Sequence, residues 1–168
     1  MGQSPESKYY NEDGEGLPFH QGVTDFGERF VTHSKYCIVS ARIAEPGDIL
    51  CSVRAPVGRL NITLEKIVIG RGLAAIRSRT NNQSFLYYHL KNHFFQEDII
   101  GTGAIFASVT KEQLENQKLL TPNDFHIRKL EEVASPLDKQ IEVLFRQNEK
   151  LRQSRDILLP RLMSEIGN

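Results

Sequence analysis

The sequence predicts an α+β chain: a domain of mixed short strands and helices, then a long C-terminal coiled-coil helix. Three observations predict it. A leucine returns every seventh residue at Leu130, Leu137, Leu144, Leu151 and Leu158, one stripe of a helix every two turns. Short apolar runs between residues 36 and 78 are bounded by Gly and Pro, as strands are. Residues 84–96 hold Phe85, Leu86, Tyr88, His89, Leu90, Phe94 and Phe95 at helical spacing.

Taken in order, residues 1–34 are rich in Gly, Ser, Asp, Asn and Pro and predict long ordered loops. Residues 36–42 and 48–53 predict strands joined by the turn Glu45-Pro46-Gly47. Residues 66–70 and 73–78 predict two more, around Gly70 and Gly72. The helix over 84–96 is entered at Ser84, and Gly101-Thr102-Gly103 predicts a turn. Thr110-Lys111-Glu112-Gln113 is a capping-box pattern that opens a short helix. A further short helix is expected from about Asp124 to Ala134. Ser135-Pro136-Leu137-Asp138 then predicts a fresh start, with Ser135 as cap and Pro136 in the first helical position. The long helix is expected to reach Glu165 with a kink at Pro160. Its roughly 30 residues would span about 45 Å. The boundary divides the chain into a domain over 1–122 and an arm over 123–168.

The arm's alternate seam positions are Ala134, Ile141, Asn148, Arg155 and Leu162. Polar seam residues such as Asn148 and Arg155 lower stability and select register and partner. The pairing surface is therefore assigned to Leu137, Ile141, Leu144, Asn148, Leu151, Arg155 and Leu158.

With 168 residues, 39% hydrophobic and 25% charged, the chain has room for one domain and an arm. No apolar run approaches the roughly 18 residues that span a bilayer, and Met-Gly-Gln-Ser-Pro-Glu-Ser carries no signal-peptide pattern. Cys37 and Cys51 sit in separate apolar runs without a CxxC partner. They are expected as buried, reduced thiols of a cytoplasmic protein.

Net charge is zero, but its distribution is uneven. Residues 1–49 hold four Lys/Arg against eight Asp/Glu. Residues 50–80 hold Arg54, Arg59, Lys66, Arg71, Arg77 and Arg79 against Glu65 alone, a net of +5. Arginine's planar fork suits phosphates and guanine edges. A solvated strand surface accounts equally well for the charge by itself.

No catalytic constellation emerges. His89 and His93 have a metal-capable spacing but no third ligand nearby in sequence, so surface or packing histidines are expected. Ser4, His20 and Asp25 are the residue types of a triad, but no nucleophile elbow surrounds Ser4. Gly70-Arg71-Gly72 lacks the third glycine of a dinucleotide fingerprint. Neither metal nor cofactor is expected. What remains is a set of amides, hydroxyls and arginines fit for polar edges: Gln3, Ser4, Lys8, Tyr9 and Tyr10, then Gln21, then Arg54, Arg59, Arg71 and Arg77.

Five segments in order carry a family resemblance. Gly2-Gln3-Ser4-Pro5 with Tyr9-Tyr10-Asn11, Gly16-Leu17-Pro18-Phe19, Gln21-Gly22 and Asp25-Phe26-Gly27 resembles the start of a target-recognition domain in DNA specificity subunits of type I restriction–modification systems. The segments 47–58 and 69–76 resemble that family's centre, and 106–114 resembles its closing turn and helix. Leu137-Asp138-Lys139-Gln140-Ile141-Glu142 and the residues from Asn148 onward resemble its spacer helix. The resemblance implies a mixed-strand target-recognition domain and a spacer or dimerisation arm, half of the family's two-domain, two-helix subunit. It implies double-stranded DNA as ligand. It places methylation in modification (methyltransferase) subunits and cleavage in a restriction subunit, leaving none to this chain. It implies pairing of the arm with its own copy or with another specificity half. It also implies a further strand ahead of Gly2, and hence an earlier start or a gene fragment. Two rivals are an interaction-only protein that enters a larger complex through its arm, and a small hydrolase using His20 or Cys37.

Overall fold

The computed structural model describes residues 1–96 and 108–166. The expected turn at Gly101-Thr102-Gly103 and the start of the 106–114 segment lie outside the described residues. The chain divides into two compact units, Met1–Pro122 and Asn123–Asn168.

Among the described residues, the first unit holds two sheets. One has the order β1 (Tyr10–Asn11), β3 (Tyr36–Cys37), β2 (Leu17–His20), β7 (Ile67–Ile69), β4 (Ile43–Ala44). β2 and β7 run parallel, with Phe19 opposite Val68 and His20 opposite Ile69, and the other pairs are antiparallel. The second sheet is antiparallel, in the order β6 (Leu60–Ile62), β5 (Ile49–Ser52), β8 (Leu73–Ile76). The sheets are mixed and the chain is α+β.

The Glu45-Pro46-Gly47 turn forms as expected. Asp48 N–H donates to Glu45 O at 3.0 Å, and Gly47 takes φ +87°, which glycine adopts without a steric penalty. It links different strands than expected, however. The strand before it is Ile43–Ala44, and the run over 36–42 is a strand only at Tyr36–Cys37. Apolar runs mark burial, but ladder partners decide which part pairs, and Ile38 and Val39 are exposed. The expected N-terminal loops contain β1 and β2, and β2 is the middle strand of its sheet.

One core cluster packs Val31, Ala44, Leu50, Ile67, Ile69 and Leu73. A second joins Ile49 and Cys51 to Tyr87, Leu90 and Phe94. That face belongs to α1 (Gln83–Gln96). α1 opens one residue before Ser84, since Asn82 O already accepts from Leu86 N–H at 3.1 Å. Thr110 forms the capping box of α2 (Lys111–Glu115): its Oγ1 accepts from Gln113 N–H at 3.2 Å, and Gln113 Oε1 accepts from Thr110 N–H at 2.9 Å. Cys37 and Cys51 are buried and free. None of the described helices is long and apolar enough to cross a membrane.

The second unit is one helix, α3 (Asp124–Ile166), of 43 residues. Asn123 opens it, its Oδ1 accepting from His126 N–H at 3.1 Å. The expected restart at Ser135 is corrected. Pro136 and Pro160 both lie inside the helix. A restart would leave four carbonyls and four N–H groups without helical partners, whereas a proline within the helix removes one hydrogen bond and crowds one carbonyl, about 3 kcal/mol. Leu130 therefore shares a helix with the rest of the leucine stripe. At 1.5 Å per residue α3 is about 65 Å long, not the 45 Å of the shorter expectation.

A candidate nucleic-acid interface

Four stretches of backbone meet at the first unit's cleft, and the contact depends on missing side chains. Gly2 N–H donates to Leu73 O at 2.9 Å and Gln3 N–H to Ile69 O at 3.0 Å. A Cβ on Gly2 would lie 2.2 Å from Gly70 O. Gly70 N–H reaches His20 O at 2.8 Å and Gly72 N–H reaches Gln21 O at 3.0 Å. A Cβ on Gly72 would lie 2.3 Å from that same carbonyl. The glycines of Gly70-Arg71-Gly72 thus admit the Gln21 loop against the β7–β8 turn. Ser4 Oγ accepts from Arg71 N–H at 3.1 Å, and Gly72 O accepts from Val53 N–H at 2.9 Å.

The result is a cleft of about 270 Å³ lined by Gln21, Gly22, Val23, Thr24, Ser52, Arg54, Ala55 and Gly72. Among the described residues, no carboxylate lines it. Arg54 pairs across a β-bridge with Ser108, and its side chain, like those of Gln3, Gln21 and Arg71, is exposed. Ser52 is buried and shapes the next turn: its Oγ donates to Pro56 O at 2.5 Å and accepts from Arg59 N–H at 2.9 Å. Arg59 is exposed at that turn. Among the described residues, Arg54, Arg59 and Arg71 have no ion-pair partner.

The other expected residues are placed differently. Lys8 pairs with Glu6 at 2.6 Å and lies over the Tyr9 ring. Tyr9 and Tyr10 pack on the Phe19–Cys37–Val68 core. Tyr10 stacks on Phe19 at 4.5 Å and donates to Pro5 O at 2.6 Å. Burial and the Cys37 thiol push its phenol up, with Arg71 opposing them. Arg77 gives its fork to Asp48, Nε to Oδ1 at 2.6 Å and Nη2 to Oδ2 at 2.9 Å. Asp48 also accepts from Glu45 N–H at 2.9 Å, so Arg77 braces the β4–β5 turn. Sequence reasoning missed Gly22, Thr24, Ser52 and Ala55. Gly22, Ser52 and Ala55 lie within segments that carry the family resemblance, and the signal for Thr24 was its closeness to Gln21.

A chain of titratable groups starts from the two residues that flank the cleft-lining segment Gln21–Thr24. His20 is buried, with Nδ1 3.6 Å from Asp25 Oδ2. Its Nε2 is 2.9 Å from His33 Nδ1, and His33 Nε2 is 3.7 Å from Glu65 Oε2. Ser34 Oγ donates to Asp25 Oδ1 at 2.7 Å. Burial pushes His20 down to about 4, His33 adding to the effect and Asp25 opposing it. Burial also pushes His33 down, against Glu65 and Asp25. Of the three triad residue types, His20 and Asp25 are therefore neighbours, while the Ser4 hydroxyl is engaged by the Arg71 amide. Among the described residues, no group of three or more His, Cys, Asp or Glu, His89 and His93 included, is placed to hold an ion.

In α3 the stripe residues are exposed: Leu137 52%, Ile141 39%, Leu144 58%, Leu151 67% and Leu158 54%. They leave a run of apolar side chains exposed at heptad spacing along the helix.

Residues 26–153 match the family model for the type I restriction modification DNA specificity domain. A Methanocaldococcus jannaschii chain assigned as the specificity subunit of type I restriction enzyme MjaX is 34% identical over 98% of this chain and 39% of its own length. The MjaIX specificity subunit of the same organism is 30% identical over 76% of this chain and 30% of its own. Among solved structures, the HsdS subunit of Thermoanaerobacter tengcongensis is similar with a TM-score of 0.67 and 37% identity, over 88% of this chain and 36% of that one. A chain from a study of assembly and conformational transition in a type I R-M system gives 0.69 and 35%, over 94% and 40%. The chain thus spans between 30% and 40% of the length of these relatives.

Proposed function

The chain belongs to the type I restriction modification DNA specificity domain family, and we propose that it is a sequence-reading DNA-binding subunit without catalysis of its own. Its first unit reads one half of a two-part site in double-stranded DNA, and α3 is the spacer and pairing arm. One observation carries the reading: the cleft gathers Gln21, Thr24 and Arg54 beside exposed Gln3 and Arg71, with no carboxylate among the described residues of its lining. Amides and hydroxyls there can match base edges, and the arginines can take phosphates or guanine. Arg59 extends this surface. Arg77 serves it indirectly, by bracing the turn that leads into β5.

The arm pairs with a second copy through Leu137, Ile141, Leu144, Leu151 and Leu158, with Asn148 and Arg155 setting register. Methylation and cleavage belong to modification and restriction subunits that bind this assembly in the cytoplasm. A self-paired chain has two-fold symmetry, so its two half-sites must have the same sequence in opposite orientation.

The test is binding of the purified chain to duplex DNA across a salt series, then methylation by added cognate modification subunits. Affinity that falls as salt rises, and methylation at a symmetric two-part site, are expected. A four-residue insertion near Gln147 is expected to change the gap between the halves or abolish modification. Absence of DNA binding with intact assembly would replace this reading with the interaction-only one.

A further inference from the structure

The Asp25–His20–His33–Glu65 chain holds a missing proton. It has three contacts: carboxylate to Nδ1 of His20, Nε2 of His20 to Nδ1 of His33, and Nε2 of His33 to carboxylate. Each needs one proton between its two acceptor atoms, but two neutral imidazoles bring only two. Charge decides which contact goes without. A bare Nδ1 lone pair against the Asp25 carboxylate would be buried, since the His20 side chain is 0% exposed. A bare lone pair on His33 Nε2 lies at the solvent end, where the side chains of His33 and Glu65 are 19% and 56% exposed. The neutral pair therefore carries its protons on both Nδ1 atoms, and the vacancy lies between His33 and Glu65.

His20 and Asp25 also flank, immediately before and after, the four residues Gln21–Thr24 that line the cleft. Their contact closes that loop like a clasp. At 3.6 Å it is an electrostatic contact and not a hydrogen bond. His20 Nδ1 has no hydrogen-bond partner among the described residues.

We propose that His20 and His33 are positioning residues that couple uptake of a single proton, between His33 and Glu65, to closure of the Gln21–Thr24 loop. The added charge passes along the hydrogen-bonded imidazoles and draws Asp25 onto His20. The loop tightens, and the negative charge behind the cleft is balanced. A second proton is excluded because two imidazolium rings would face each other at 2.9 Å. The groups that face the pair are Asp25 from the loop, the Ser34 hydroxyl through Asp25, and Glu65 from the β6–β7 turn. Proton-linked DNA reading follows, a consequence that rests on the DNA-binding function above; the coupling of ring to loop does not.

The experiment is a pH titration of the free, nitrogen-15-labelled chain, following the ring nitrogens of His20 and His33 and the amides of Gln21–Thr24. One shared protonation step is expected, with the loop amides moving in that step. Glu65→Gln should lower the step in pH and leave the loop following it. Asp25→Asn keeps the Ser34 bond but removes the attracting charge, so the rings should still titrate while the loop amides stay flat. His33→Asn should remove the step and leave the sheet amides in place. Two independent histidine titrations would overturn the proposal. So would loop amides that ignore the step, or that follow it undiminished in Asp25→Asn. Binding of a labelled duplex at fixed salt forms the second arm. Affinity is expected to rise by up to about tenfold per pH unit on acidification through the step, the limit for one linked proton, with this response lost in His33→Asn. Affinity that ignores the step in the native chain would overturn the link to reading. Failure to bind DNA at every pH would overturn the DNA-reading function, and the ring and loop signals would still decide the relay.

Discussion

Replacing Leu144 and Leu151 together by Glu is expected to convert a paired chain into a monomer. In the single chain these side chains are 58% and 67% exposed, so pairing can still bury more than half of each. Complete burial of a leucine contributes roughly 1.5–3 kcal/mol. Scaled by exposure, the two leucines offer about 2–4 kcal/mol per chain. A two-fold pair uses each surface twice and so stands to lose about 4–7 kcal/mol, a factor of roughly 10³–10⁵ in dissociation constant. The introduced carboxylates add repulsion across the seam. Sedimentation equilibrium over a range of concentrations measures the constant directly. A double variant that keeps the native dissociation constant would refute the assignment of this stripe as the pairing surface. Circular dichroism checks that α3 remains helical, since Glu is itself a good helix former.

Arg54→Ala with Arg71→Ala should weaken DNA binding; if both touch phosphate, the salt slope falls by about two, measured by fluorescence anisotropy. Thr110→Ala removes the Oγ1 that accepts from Gln113 N–H, while the Thr110 N–H bond to Gln113 Oε1 can persist, and should lower stability by about 1 kcal/mol, or roughly 2–4 °C in Tm, by calorimetry. His20, ordinarily 6.5 and pushed down to about 4 in the fold, makes the folded state the weaker proton binder. Stability is therefore highest above about pH 6.5 and falls as pH drops towards about 4, a loss on the order of 3 kcal/mol that belongs to the His20–His33 pair and not to His20 alone. His20→Gln should flatten that part of the stability profile, read by denaturant unfolding at several pH values.

Signals confined to a few neighbouring residues were legible in the sequence. Thr110-Lys111-Glu112-Gln113 forms its box because donor and acceptor lie within one turn. Glu45-Pro46-Gly47 turns because proline presets one torsion and glycine admits the positive φ of the next. The leucine stripe was legible because helical periodicity repeats it. The mixed α+β class and the family were legible as well, through segments that keep their order along most of the chain.

The tertiary structure decided whatever depends on partners distant in sequence. β2 is a central strand despite its Gly- and Pro-rich surroundings, because β7, some fifty residues on, supplies a parallel partner. Pro136 stays inside α3 because the free energy of two new helix ends exceeds that of one lost bond. Arg77 carries the same charge as Arg54, and only the position of Asp48 distinguishes a brace from an exposed cation. His20 and Asp25 could be counted in the sequence. Their contact across the Gln21–Thr24 loop, and its continuation to His33 and Glu65, could not, because these contacts are made through space. Periodicity and turn chemistry are local and survive in one dimension, whereas the pairing of charges and strands exists only once the chain has folded on itself.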